Sequence, residues 1–173
     1  MTSRRDLLLE RAAGLFAEKG FHGVGIDDIG EAAGITGPGV YRHFASKQAL
    51  LETLIDTTMD RMLELAEQSE DLDALVELHV DLVTQQQALI SVWVREQAAL
   101  AEEVRTSLRT RMRRYEQMWR DRAGPLRPEL GKHELDLLVG ATLAMLNTSS
   151  LIESPLPERR HVLRRLAHAT LRA

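Results

Sequence analysis

The chain has 173 residues, no cysteine and a formal net charge of −4. That length holds one large domain, or a small head on a larger body, and the missing cysteines exclude disulfide frameworks, thiolate zinc sites and cysteine nucleophiles. The acidic balance argues against a general nucleic-acid coating protein, and no apolar run approaches signal or membrane-spanning length, so a soluble, cytoplasmic protein without membrane contact is expected.

Apolar residues recur at spacings of three and four along the whole chain and strand-type alternation is rare, which predicts an all-α fold. The first helix, about Arg4–Lys19, buries Leu8, Ala12, Leu15 and Phe16 and stops at Gly20. A short helix from Asp27 to Ala33 turns Ile29, Ala32 and Ala33 inward, with Gly25 able to serve as its N-cap, and ends at Gly34, a residue suited to a left-handed terminus. Ile35 fills the angle that follows. Thr36 caps the next helix, and Pro38 falls in its first turn, where a missing N–H costs little. Ser46 caps a long helix from Lys47 to about Gln68, with Leu50, Leu51, Leu54, Ile55, Met62 and Leu65 inside. Asp71 and Asp73 open a helix through Leu89, followed by a shorter piece over Ile90–Ala101 and a long helix over Glu103–Arg122. Residues Gly124–Gly131, with two prolines and two glycines, form the clearest loop. The last helices cover about His133–Ile152 and, beyond Pro155 and Pro157, about Glu158–Leu171.

The two short helices meeting across a tight turn read as a DNA-binding helix-turn-helix. On the second, Val40 and Phe44 face inward, leaving Gly37, Gly39, Tyr41, Arg42 and His43 outward or flanking the buried side. Small residues let a helix sink into the major groove; Arg42 and His43 can reach base edges or phosphates, Tyr41 a phosphate, and Lys47 a phosphate at a helix start. Arg4 or Arg5 can add a contact from the amino-terminal arm. The candidate DNA-binding set is therefore Arg5, Gly25, Thr36, Gly37, Pro38, Gly39, Tyr41, Arg42, His43 and Lys47. Residues 1–50 balance six basic against six acidic side chains, while 51–173 hold sixteen against twenty, so the whole negative excess lies outside the head.

These residues resemble the TetR-type one-component transcriptional repressors. The likeness runs through Gly20-Phe21, Asp27-Asp28-Ile29, Ala32-Ala33-Gly34-Ile35-Thr36, Val40-Tyr41-Arg42-His43-Phe44 and Ser46-Lys47-Gln48-Ala49-Leu50-Leu51. Two departures stand out: many members carry Thr or Ser where this chain has Val24-Gly25, and Ala where it has Gly30. The resemblance implies a helix-turn-helix head over 1–46, an effector-binding and dimerisation bundle over 47–173, and a palindromic double-stranded operator released by a small effector. One head reads few base pairs, so specificity calls for a homodimer with recognition helices about 34–36 Å apart, or a multiple of that.

The dimer surface is expected on the last two helices, through Leu138, Thr142 and Met145 on one and Leu163, Leu166 and Thr170 on the other, with Gly140, Ala141 and Ala144 allowing close approach. The same stripes would equally close a monomer core. An apolar stripe with a few amide and hydroxyl groups marks either a ligand pocket or plain core: Trp93, Met112, Tyr115, Trp119, Met145 and Asn147. Arg95 and Glu96 beside it are pocket charges or surface ion pairs. Catalysis has little support: Glu158-x-x-His161 is one arm of a di-iron motif whose second arm is missing, no other catalytic or metal motif occurs, and no cofactor is implied.

Overall fold

The computed structural model describes residues 3–152 and 158–172, which form helices without a strand. In chain order these are α1 (Arg4–Lys19), α2 (Ile26–Ala32), α3 (Gly37–Val40), α4 (Lys47–Glu67), α5 (Leu72–Gln85), α6 (Gln87–Arg95), α7 (Glu102–Ala123), α8 (Lys132–Ser149) and α9 (Arg159–Arg172). Most of these starts are set by a local hydrogen bond. Ser3 and Asp6 cap one another's backbone at α1, Ser46 accepts from Ala49 N–H at 3.0 Å, and Asp71 accepts from Ala74 N–H at 2.8 Å. Where glycine replaces a capping side chain, the acid three residues on reaches back: Gly25 N–H donates to Asp28 at 2.7 Å and Gly131 N–H to Glu134 at 2.8 Å.

Helices α1 to α3 make the head, closed by Leu8, Phe16, Ile29, Val40 and Phe44, all buried. Ala32, expected inside, is exposed. The body packs α4 against α7, α5 against α9, and α7 and α9 against α8. Ion pairs fasten the last helix to α5, from Arg160 to Glu77 and Asp81, from Arg164 to Glu77, and from Arg172 to Asp73. The chain breaks between α5 and α6 at Gln86, not after Leu89 as the apolar spacing predicted. No glycine or proline marks that place. At that place the Gln87 side chain donates to Ser150 C=O at 2.7 Å, a tertiary contact with the end of α8. The turn expected at Pro155 and Pro157 lies outside the described residues.

Candidate nucleic-acid interface and inner chamber

The second helix of the pair is shorter than the expected run from Thr36 through Phe44. Regular α-helix covers Gly37–Val40, and hydrogen-bonded turns carry it on through His43 and Phe44, whose N–H groups both donate to Val40 C=O. Thr36 caps it by accepting from Gly39 N–H at 3.3 Å. Gly34 ends the preceding turn at φ +70°, in the left-handed region where a side chain would cost about 1–2 kcal/mol. Tyr41, at 55% exposure, and Arg42 stand outward with Thr36 and Pro38, while Gly39 and His43 are half-buried and Gly25 is exposed at the start of α2.

Two members of the expected set serve the head instead. Gly37 is buried against α2, and a Cβ there would collide with the Asp27 carboxylate, so this glycine permits helix-to-helix contact and offers no outward surface. Lys47 is also turned inward. Its ammonium donates to the carbonyls of Phe21 at 2.8 Å and Val24 at 2.6 Å and lies 4.4 Å from the Phe21 ring centre, which pins the α1–α2 connection. Arg5 remains exposed at the rim, donating to His43 C=O at 3.1 Å with its guanidinium over the Phe44 ring, while Arg4 donates to Ala33 C=O. Both arginines thus brace the turn from α1.

Inside the body, α4 to α8 enclose an apolar chamber. Of the stripe that the sequence left open between pocket and core, Trp93, Met112, Tyr115 and Asn147 line it, joined by Leu54, Ile55, Met59, Met62, Leu89, Ile90 and Leu143. It is tight, leaving about 20 Å³ for the centre of a water-sized molecule, room for a water or two. Trp119 and Met145 do not line it. Trp119 is fully buried beside Tyr115, its indole N–H without a hydrogen-bond partner among the described residues, and Met145 sits half-buried on α8.

The chamber's polar floor centres on His79, which sequence reasoning missed. Its Nδ1 is 2.8 Å from the Tyr115 hydroxyl and its Nε2 3.1 Å from Asn147 Oδ1. An amide oxygen can only accept, so His79 Nε2–H donates to Asn147 and the Tyr115 O–H donates to Nδ1. Desolvation by burial lowers the His79 pKa to about 4 against the pull of Asn147, so the ring is neutral at physiological pH, and burial pushes the Tyr115 phenol up. A signal was present: His79 continues the inward line Leu72, Leu75, Val76 on α5.

An outer cleft of about 400 Å³ adjoins the chamber, sharing Trp93, Met112, Leu143 and Asn147 as walls. Helix α6 connects all this to the head. Leu89, Ile90 and Trp93 face the chamber, while at its end Arg95 donates to Ala17 C=O at 3.1 Å and Glu96 accepts from Phe21 N–H at 3.0 Å. Arg95 and Glu96 are therefore neither pocket charges nor a surface ion pair; both hold backbone of the head. Gln48 on α4 closes the junction by donating to Ala99 C=O at 2.7 Å.

On the expected dimer face, Thr142 and Leu163 are buried within the single chain, and the Thr142 hydroxyl donates to Leu138 C=O. Leu138, Met145 and Thr170 are half-buried, and Leu166 is 45% exposed. The outward stripe lies one position over, with Leu137 at 74% exposure and Ala141 and Ala144 beside it. Among the described residues no group of acids and histidines could hold a metal, and no helix is long and apolar enough to cross a membrane.

Comparison with known proteins agrees with this arrangement. The profile of "Bacterial regulatory proteins, tetR family" matches residues 8–54, and that of "Tetracyclin repressor-like, C-terminal domain" matches 66–151. The chain is 30% identical over 145 residues to the HTH-type transcriptional repressor KstR2 of Mycobacterium tuberculosis, covering 75% of this chain and 72% of that protein. The KstR2 structure superposes with a TM-score of 0.85 at 22% identity over 99% of this chain and 94% of the other. AibR, solved with isovaleryl coenzyme A and operator DNA, gives 0.84 at 20% identity over 98% and 99%. A helix-turn-helix head with a braced reading helix, a helical body around a chamber, and a repressor relative across most of the chain lead to one conclusion: the chain belongs to the TetR family of bacterial transcriptional regulators.

Proposed function

We propose that two copies of this chain form a repressor that reads a palindromic operator through Thr36–Phe44 and releases it when a small, largely apolar effector enters the chamber. The working division is a head over 1–46 and a body over 47–173. One observation carries the reading. Helix α6 presents Trp93 to the chamber and, within a turn, uses Arg95 and Glu96 to hold the backbone of the head. A molecule that shifts Trp93 therefore acts on the head directly, through α6 as well as through the long α4. The AibR complex with both a small molecule and operator DNA supports the same pairing of sites. The exposed Leu137 and Leu166 support a four-helix interface built from α8 and α9 of two copies.

Operator binding across a salt series, with DNA from upstream of the gene, tests the DNA face. Arg42→Ala is expected to weaken binding and, if it removes one phosphate contact, to reduce the slope of log affinity against log salt by about 1. Lys47→Ala should instead lower the melting temperature of the protein, since its ammonium is engaged by Phe21 and Val24. Unchanged affinity and slope in Arg42→Ala would remove this face from the mechanism.

A further inference from the structure

Gly37 is the first residue of α3 and is buried, and what covers it is a carboxylate from α2. A Cβ built on Gly37 would collide with Oδ1 of Asp27 and stand 3.0 Å from its Cγ, so the Asp27 carboxylate occupies the space of a side chain at position 37. Thr36 and Pro38 on either side are exposed, and so is Asp27 itself. The leading residues of a reading helix are the ones that meet base edges in the major groove. At this leading position the polar group therefore belongs to the neighbouring helix.

Asp27 accepts no hydrogen bond and has no ion-pair partner among the described residues, whereas Asp28 beside it accepts from Gly25 N–H at 2.7 Å. The Gly39 N–H is taken by Thr36, and Arg4, Arg5 and Lys47 of the head donate to backbone carbonyls. An acid in the first turn of α2 also favours that helix through its dipole, yet that role does not require the carboxylate to lie over Gly37. On a face that meets phosphates, a bare negative charge is unfavourable unless a base offers it a donor. In the major groove cytosine presents its N4 amino group. Guanine and thymine present acceptors only, and adenine sets its N7 acceptor beside its N6 amino group.

We propose that Asp27 determines part of the operator sequence: its carboxylate, lying over Gly37, accepts from the N4 amino group of a cytosine in each half-site. This rests on the DNA-binding reading above and names one base of the site. The glycine at position 37 is what makes room for the carboxylate, and the missing partner within the head is what leaves it available to the base.

Enrichment of duplexes from a randomised library by the full chain tests this, followed by affinities for every single-base variant of the enriched half-site. The native protein should prefer cytosine at one position by about tenfold. Asp27→Ala should lose the preference at that position and keep those at the others. Asp27→Asn should move it to adenine, because an amide pairs with adenine N6 and N7 together. Gly37→Ala keeps the carboxylate but pushes it from its place, and should flatten the same position. Melting temperatures measured alongside verify that each variant is folded. Base preferences identical to the native protein in both Asp27 variants would overturn the proposal. A uniform tightening over all duplexes in Asp27→Ala would do so too, since the carboxylate would then only repel phosphates. Enrichment of no duplex by the native protein would instead defeat the DNA-binding reading, and this proposal with it.

Discussion

His79 shows how one side chain ties the chamber to stability. It is buried as the neutral ring, with its pKa lowered to about 4 from 6.5, so the unfolded chain binds a proton between those values that the folded chain refuses. The contribution is complete above pH 6.5, declines as pH falls toward 4 and is constant below, amounting to about 3 kcal/mol at about 1.4 kcal/mol per pH unit. Denaturant titrations from pH 7.5 to 4 should show that fall in the native protein and a shallower one in His79→Gln. Equal slopes for the two would mean that the ring is protonated in the folded state. Gly37 and Lys47 teach the complementary lesson. Gly37 is expected at DNA because a small residue lets the helix sink into the groove, and Lys47 because a lysine at a helix start suits a phosphate, yet each is used inside the head, against Asp27 in one case and two carbonyls in the other. Residue type alone does not say which neighbour takes the donor.

Among the elements, α6 carries most of the regulatory argument, although periodicity placed its start three residues late. Its chamber-facing side was legible through Trp93, but its grip on the head was not, because Phe21 and Glu96 are 75 residues apart. That grip has a measurable consequence. Glu96→Ala leaves the Phe21 N–H without its carboxylate, a charge-assisted bond of about 1.5–3 kcal/mol, so amide exchange around Phe21 should quicken by about 10- to 100-fold. Exchange in α8 should be unaffected. A protection pattern identical to the native protein would show that α6 does not hold the head. Helix α3, by contrast, was read correctly at its cap, its proline and its inward pair Val40 and Phe44, since all of these act within a few residues.

For the whole molecule, function under the proposed scheme depends on a second copy. The outward stripe of α8 and α9 offers Leu137, Ala141, Ala144 and Leu166 to a partner, whereas Thr142 and Leu163 already close the single chain. Leu137→Glu would place a charge where two α8 helices meet in the proposed dimer. Sedimentation velocity should then show monomer at concentrations where the native protein is dimeric, and operator affinity should fall by at least about tenfold, because each head alone reads only half a site. Retention of the dimer in Leu137→Glu would move the interface elsewhere. Thr142 and Leu163 variants should unfold more readily without favouring monomer.

The sequence by itself determined the all-α class, the helix caps at Ser46, Asp71 and Thr36, and the turn at Gly34. Those features follow from periodicity and from hydrogen bonds closed within one or two turns, which adjacent residues dictate. Only the tertiary structure decided the break at Gln86, the inward turn of Lys47, the exclusion of Trp119 and Met145 from the chamber, and which face of α8 stays open. An amphipathic helix buries whichever side its neighbours cover, and a cation takes the nearest carbonyls. Both depend on segments distant in sequence, so the chain had to be folded before either could be known.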